Sequence, residues 1–128
     1  MAVWYKVVSK RPGGMAGDRS PKYYPAITKR GLINTQELAT QLAEQSTFHP
    51  GVIHGVIECF IRIIPTMLQN GNSVKLDGFG TFSLHVSGEG HDSPEEVSSK
   101  DITHVKMSFL PDKQIKNKLS ETKFKKCQ

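Results

Sequence analysis

Residues 50–70, PGVIHGVIECFIRIIPTMLQN, read as one long helix whose apolar face is wider than one small chain can cover. Pro50 suits the first helical turn, where its missing N–H is not needed, and Gly71 supplies the C-terminal stop. Ile53, Val56, Ile57, Phe60, Ile64, Met67 and Leu68 fill one face, and Val52, Cys59 and Ile63 widen it. The polar remainder is a stripe of His54, Glu58, Arg62, Thr66 and Gln69. More than half the circumference is therefore apolar, whereas a surface helix needs a narrower band. A partner subunit is the expected cover, because the chain offers one other good helix for a compact monomer. Pro65, inside the run, removes a backbone hydrogen bond and predicts a kink near Ile61–Pro65.

The shorter helix starts at Asn34, which stands three residues before Glu37 in capping-box spacing, and carries Leu38, Ala39, Leu42 and Ala43 as its apolar stripe. It ends near Ser46. After the long helix, VKLDGFGTFSL (residues 74–84) reads as a hairpin. Val74 and Leu76 alternate on one arm, Phe82, Leu84 and Val86 on the other, with the reversal at DGFG. Phe79 sits at the turn, and with Phe82 it is expected to pin a sheet onto the helices. A third strand spans Ile102–Phe109, with Val105, Met107 and Phe109 in phase and Ile102 out of phase, so a bulge is expected near His104. Residues 87–101, SGEGHDSPEEVSSKD, form a polar, flexible, acidic linker. Asp112 then caps a short helix carrying Ile115 and Leu119, with Lys113, Lys116 and Lys118 near one another. At the N-terminal end, residues 2–8 read as a strand, residues 9–22 as a Gly/Pro loop and residues 23–27 as extended, where Tyr23, Tyr24 and Ile27 have the character to pack on a neighbour.

Charge is segregated along the 128 residues, whose net charge is +5. Residues 1–31 carry +6, residues 32–87 carry −2, residues 88–110 carry −3 and residues 111–128 carry +4. Basic ends invite an anionic partner, though solvated tails give the same pattern. Cys59 reads as a small buried hydrophobe and Cys127 as a thiol outside any disulfide, which suits a reducing compartment. The opening residues lack the apolar core of a secretory signal, and no stretch looks like the ~20 apolar residues of a membrane span. The expectation is a cytosolic protein with no membrane partner. His49, His54, His85, His91 and His104 fall on separate elements without metal-ligand spacing or a nucleophile beside them. GEGHD (residues 88–92) is not a phosphate cradle, since no lysine-bearing helix follows it. Neither enzymatic activity, nor a cofactor, nor a metal, nor a small-molecule substrate is expected.

Two motifs in this order, Gly78-Phe79-Gly80-Thr81-Phe82 and Phe109-Leu110-Pro111-Asp112-Lys113-Gln114-Ile115-Lys116, resemble the HU/IHF family of bacterial histone-like DNA-binding proteins across about residues 32–120. The N-terminal extension, with YKVV and KYYPAITKRG, is more specifically similar to divergent HU-like proteins of Bacteroidetes. The resemblance implies an α+β fold: a helical base, a three-stranded antiparallel β-sheet saddle and an intertwined homodimer, here with an extra N-terminal strand. It implies a dimer core containing Phe60, Ile64, Phe79, Phe82 and Phe109. The division it suggests is a basic extension over 1–31, an HU-like DNA-binding domain over 32–120 with a shortened acidic arm at 87–101, and a frayed basic tail at 121–128.

Family members hold DNA through backbone contacts and bend it, with a proline near each arm tip wedged between base steps. This chain departs from that pattern. Its arm carries Glu89, Asp92, Glu95 and Glu96, so Pro94 reads as a loop residue rather than a wedge, and His85 and Ser87 stand where relatives often place arginines. Candidate DNA contacts are therefore Lys75, Lys113, Lys116 and Lys118 on the fold, with Lys22, Lys29 and Arg30 as an N-terminal arm. The expected function is weak, sequence-tolerant, salt-dependent DNA binding in the nucleoid, with less bending than in relatives. The competing reading is a protein-interaction or structural dimer that kept the fold and lost DNA.

Overall fold

A computed structural model describes residues 2–10, 20–28 and 30–127. Lys29 and most of the loop read at residues 9–22 lie outside the described residues. The chain divides into two compact units, residues 34–117 and residues 1–33 with 118–128.

The first unit begins with helix α1, Thr35–Glu44. Asn34 caps it as expected: its side-chain oxygen accepts from the Glu37 N–H at 2.9 Å. Helix α2, Pro50–Gln69, is capped by His49, whose Nδ1 accepts from the Gly51 N–H at 3.0 Å. It continues through Pro65 without a break in its helical assignment. Strands β3 (Val74–Leu76), β4 (Gly80–Gly88) and β5 (Ile102–Pro111) form one antiparallel sheet in that order. The β4–β5 register shifts where Ser87 faces His104 and Gly88 faces Ile102, which places the expected bulge at Thr103.

Alternation divides this sheet into two faces. Phe82, Leu84 and Val86 lie opposite Phe109, Met107 and Val105 and form the apolar face. Ile57, Phe60, Ile61, Ile64 and Pro65 of α2 meet Phe82 and Met107 of that face around an open groove of about 440 Å³. The Phe109 ring stands between those of Phe79 and Phe82, with centroids 5.0 and 4.9 Å away.

The apolar surplus on α2 is present in the structure. Among the described residues the buried hydrophobics are Ala39, Ile64 and Leu68, while Val56 and Ile61 of α2 are 57% and 59% exposed. Two expectations need correcting. Cys59 is exposed rather than buried, because it lies on the widened flank of α2 that no described residue covers. Helix α2 is also long and apolar enough to cross a membrane by length and composition, with a mean hydropathy of 1.5 over an 18-residue window. Counting uninterrupted apolar runs missed this, since His54, Glu58 and Arg62 interrupt the run without lowering the average much.

The second unit is a separate sheet. Strand β1 (Val3–Lys10) pairs antiparallel with β2 (Lys22–Ile27). After helix α3 (Lys113–Leu119), strand β6 (Phe124–Lys126) pairs parallel with the other edge of β1, giving the order β2-β1-β6. The tail expected to fray at 121–128 is thus a strand over Phe124–Lys126. The physical reason is the open edge of β1, whose backbone groups need partners. The Val3 N–H donates to the Lys123 carbonyl and the Cys127 N–H to the Tyr5 carbonyl, each at 2.8 Å. The N-terminal strand joins this sheet and not the one formed by β3, β4 and β5.

The segment read as a flexible linker contains two 3₁₀ turns, Pro94–Glu96 and Ser99–Asp101. Asp101 organises it. Its carboxylate accepts from the Ser98 N–H at 2.8 Å and lies 2.9 Å from His91 Nε2, while Nδ1 of the same ring is 3.6 Å from Glu96. Side chains can replace sheet pairing as the source of order in a polar loop.

Candidate nucleic-acid interface

The second face of the β3-β4-β5 sheet comes from the same alternation. Lys75 stands opposite Thr81, Ser83 opposite Ser108, His85 opposite Lys106, and Ser87 opposite His104. The hydroxyls of Ser73 and Ser83 lie 3.1 Å apart. This face is polar and weakly basic, and the apolar face against α2 lies behind it. Three strands in register hold Lys75 and Lys106 in fixed rows, both exposed.

The DGFG corner seats the next basic element. Gly78 has φ +82°, a conformation in which a side chain is strained, and this closes the reversal. The Phe79 carbonyl then accepts from the Asp112 N–H at 2.8 Å, which fixes the start of α3. Asp112 Oδ1 accepts from the Lys113 N–H at 2.8 Å, and the Asp112 carbonyl from the Lys116 N–H at 3.0 Å. The two sequence motifs, about thirty residues apart, are thereby joined: one turn of backbone and the Phe79–Phe109–Phe82 stack carry the basic helix start.

The structure sorts the candidate residues. Lys75, Lys113 and Lys116 belong to one unit and are exposed. At 3.6 residues per turn, Lys113 and Lys116 lie about 60° apart around α3, whereas Lys118 is about 160° from Lys116. The expected trio is therefore a pair, with Lys118 on another side of the helix. Lys22 is the first residue of β2, across from Lys10, and Arg30 is exposed beyond that strand; both belong to the other unit. Lys106 was missed by sequence reasoning. Its signal was available, since the apolar phase of Val105, Met107 and Phe109 puts Lys106 on the polar side with His104 and Ser108.

The ion pairs among the described residues all involve histidine: His54 with Glu58, and His91 with Glu96 and Asp101. Among the described residues, no carboxylate forms an ion pair with Lys75 or Lys106. At the far end of β4 and β5 the sign reverses. Hydrogen bonds from His91 and from the Ser98 N–H hold the Asp101 carboxyl below its usual range, so it stays ionised beside Glu89, Asp92, Glu95 and Glu96.

A two-helix base under a three-stranded antiparallel sheet, with a short basic helix seated on the GFG turn, is the fold of the HU/IHF class of proteins. The chain aligns with the Anabaena HU–DNA cocrystal structure at a TM-score of 0.55 and 19% identity, covering 70% of this chain and 99% of that one. It aligns with the crystal structure of a candidate bacterial DNA-binding protein from Bacteroides vulgatus at a TM-score of 0.71 and 11% identity. That match covers 98% of this chain, so it takes in the N-terminal sheet, and 48% of the Bacteroides chain. In sequence it is 29% identical over 91 residues to the beta subunit of integration host factor from Buchnera aphidicola, covering 66% of this chain and 90% of that subunit. Residues 1–126 match the family model described as an HU domain fused to wHTH, Ig or a glycine-rich motif, and the chain belongs to this HU-HIG family.

Proposed function

We propose that this chain is a nucleoid-associated, histone-like DNA-binding protein that works as a homodimer through phosphate contacts. The observation that carries the reading is the division of the β3-β4-β5 sheet into an apolar face, matched to α2, and an opposite face bearing Lys75 and Lys106, with Lys113 and Lys116 on the helix that starts at the DGFG turn. These are flexible point charges with no ion-pair partner among the described residues, so they suit phosphates and read no base sequence. The fold match to an HU–DNA cocrystal supports the same reading.

The dimer reading rests on α2. Phe60 and Ile64 line the groove shared with Phe82, and Phe82 continues into the stack with Phe109 and Phe79. A second copy that laid its own α2 into this groove would bury the exposed Val56 and Ile61 and complete a core that one chain leaves at three buried hydrophobics among the described residues. Two sheets held side by side would double the lysine rows.

The arm tip limits how far bound DNA is bent. Its four exposed carboxylates repel phosphate, and Pro94 opens a 3₁₀ turn between Ser93 and Glu95. Duplex bending is accordingly weaker than in relatives with basic arms. Duplex titration over a salt series tests the proposal. Each phosphate contact contributes roughly 0.9 to the slope of log affinity against log salt. Replacing Lys75, Lys106, Lys113 and Lys116 by Gln lowers that slope by about 3.6 per chain if the face is the interface. Unchanged binding in that variant removes this face as the interface, whereas no binding by the parent at low salt refutes DNA binding and favours a protein-interaction dimer.

A further inference from the structure

The β2-β1-β6 sheet also has two unlike faces. Tyr5, Val7 and Ser9 lie opposite Ile27, Pro25 and Tyr23, and Phe124 is opposite Val3, which makes one face mostly apolar, with Lys126 opposite Tyr5 as its one lysine among the described residues. On the other face Trp4 is opposite Lys125, Lys6 opposite Ala26, Val8 opposite Tyr24, and Lys10 opposite Lys22. Four lysines on a single face come from three strands, β6 lying far along the chain from β1 and β2, and all four are exposed. Among the described residues of this unit the one acidic side chain is Glu121, which precedes β6.

Two features of this face go beyond a solvated charge run. Lys10 and Lys22 are direct cross-strand neighbours, and like charges in that position destabilise a sheet. An anion laid across them relieves the repulsion. The Lys125 ammonium is held over the Trp4 ring at 5.0 Å, which directs a cation that would otherwise sweep a wide volume. Along β1, a rise of about 3.3 Å per residue spaces Lys6 and Lys10 about 13 Å apart, with Lys22 and Lys125 to either side. This is a flat row of positive charge, suited to a repeating polyanion and not to a single small anion, which would need converging donors.

We propose that this lysine face is a second phosphate-backbone site, so that one chain holds duplex DNA through two separate surfaces. The inference rests on the proposed DNA-binding function, but on different residues. Its test is a salt-series titration of a labelled duplex with the full chain, the variant K6Q/K10Q/K22Q/K125Q and the variant K75Q/K106Q/K113Q/K116Q. The first variant is expected to lose about 3.6 per chain in the log–log slope and at least tenfold in affinity at moderate salt, at roughly 0.9 per contact. The double variant K10Q/K22Q removes the like-charge pair, so it should fold at least as well as the parent while losing about 1–2 in slope. A parental slope in both variants of the N-terminal sheet overturns the inference and leaves DNA binding by the β3-β4-β5 face standing. The converse, loss only in the N-terminal sheet variants, sinks the β3-β4-β5 face and keeps this one. Phosphatidylserine vesicles provide the last arm: lysine-dependent vesicle binding with unchanged duplex binding reassigns the face to a membrane surface and overturns the inference.

Discussion

Gly80 shows how little room the hairpin leaves. A Cβ built there would come within 2.5 Å of the Phe109 ring and 2.6 Å of the Leu110 carbonyl. Gly80→Ala should therefore lower stability by about 1–3 kcal/mol, as overpacking does, and urea denaturation of the variant checks it. The sequence showed that a glycine was needed at this corner, but not that Phe109, about thirty residues later, was the group it admits. Asp101 gives a second prediction. Hydrogen bonding from His91, then from the Ser98 N–H, lowers its folded-state pKa below the ordinary 3.8. A depressed carboxylate contributes stability that is complete above the unfolded value and disappears as pH falls through the folded one. The arm tip should thus keep its structure above pH ~4 and loosen only below it, seen as loss of the Ser98 amide NMR shift. Asp101→Asn should abolish this acid transition; an unaltered transition would assign it to another carboxylate. His91 carried no local signal of its role, because its partners are five and ten residues away in a loop without periodicity.

Elements with a strong period were legible, and those held by distant partners were not. Helices α1 and α2, the hairpin and β5 were readable because apolar spacing and caps are local facts. Strand β6 was not: FKK reads as part of a charge run, and its pairing with β1 depends on an edge more than a hundred residues earlier. The same holds for the lysines. Lys113 and Lys116 stood out through the motif they belong to, whereas the cross-strand placement of Lys10 beside Lys22 exists only in the folded sheet. The arm is the element whose charge is expected to restrain DNA binding. Asp92→Lys with Glu95→Lys leaves the His91, Glu96 and Asp101 contacts in place and reverses the local sign. Duplex titration should then show roughly tenfold tighter binding at low salt and a slope steeper by about 2. No change in either would place the tip away from the DNA path.

At the scale of the molecule, one chain leaves much of its apolar helix surface uncovered. Its helices and sheet leave α2 with Val56, Phe60, Ile61 and Ile63 more than 40% exposed, and each Å² of such surface removed from water is worth about 25 cal/mol. That surplus was readable from the helix pattern alone, which is why pairing could be inferred before any sheet was placed. The way two copies would interlock was not readable, since shape complementarity is a property of the folded surface. Ile61→Asp should convert a dimer to an unstable, aggregation-prone or unfolded chain, as judged by far-UV circular dichroism, because it puts an unpaired carboxylate into the expected seam. A folded, fully helical I61D protein would show that the seam lies elsewhere.

The most direct measurement is sedimentation equilibrium of the full chain across a dilution series, with helix content tracked in parallel. Pairing through α2 predicts twice the 14.2 kDa chain mass down to low concentration, with mass and helix content falling together. A stable, fully folded species of 14.2 kDa would contradict it, and would leave the lysine rows without the cradle that is proposed to hold them around DNA.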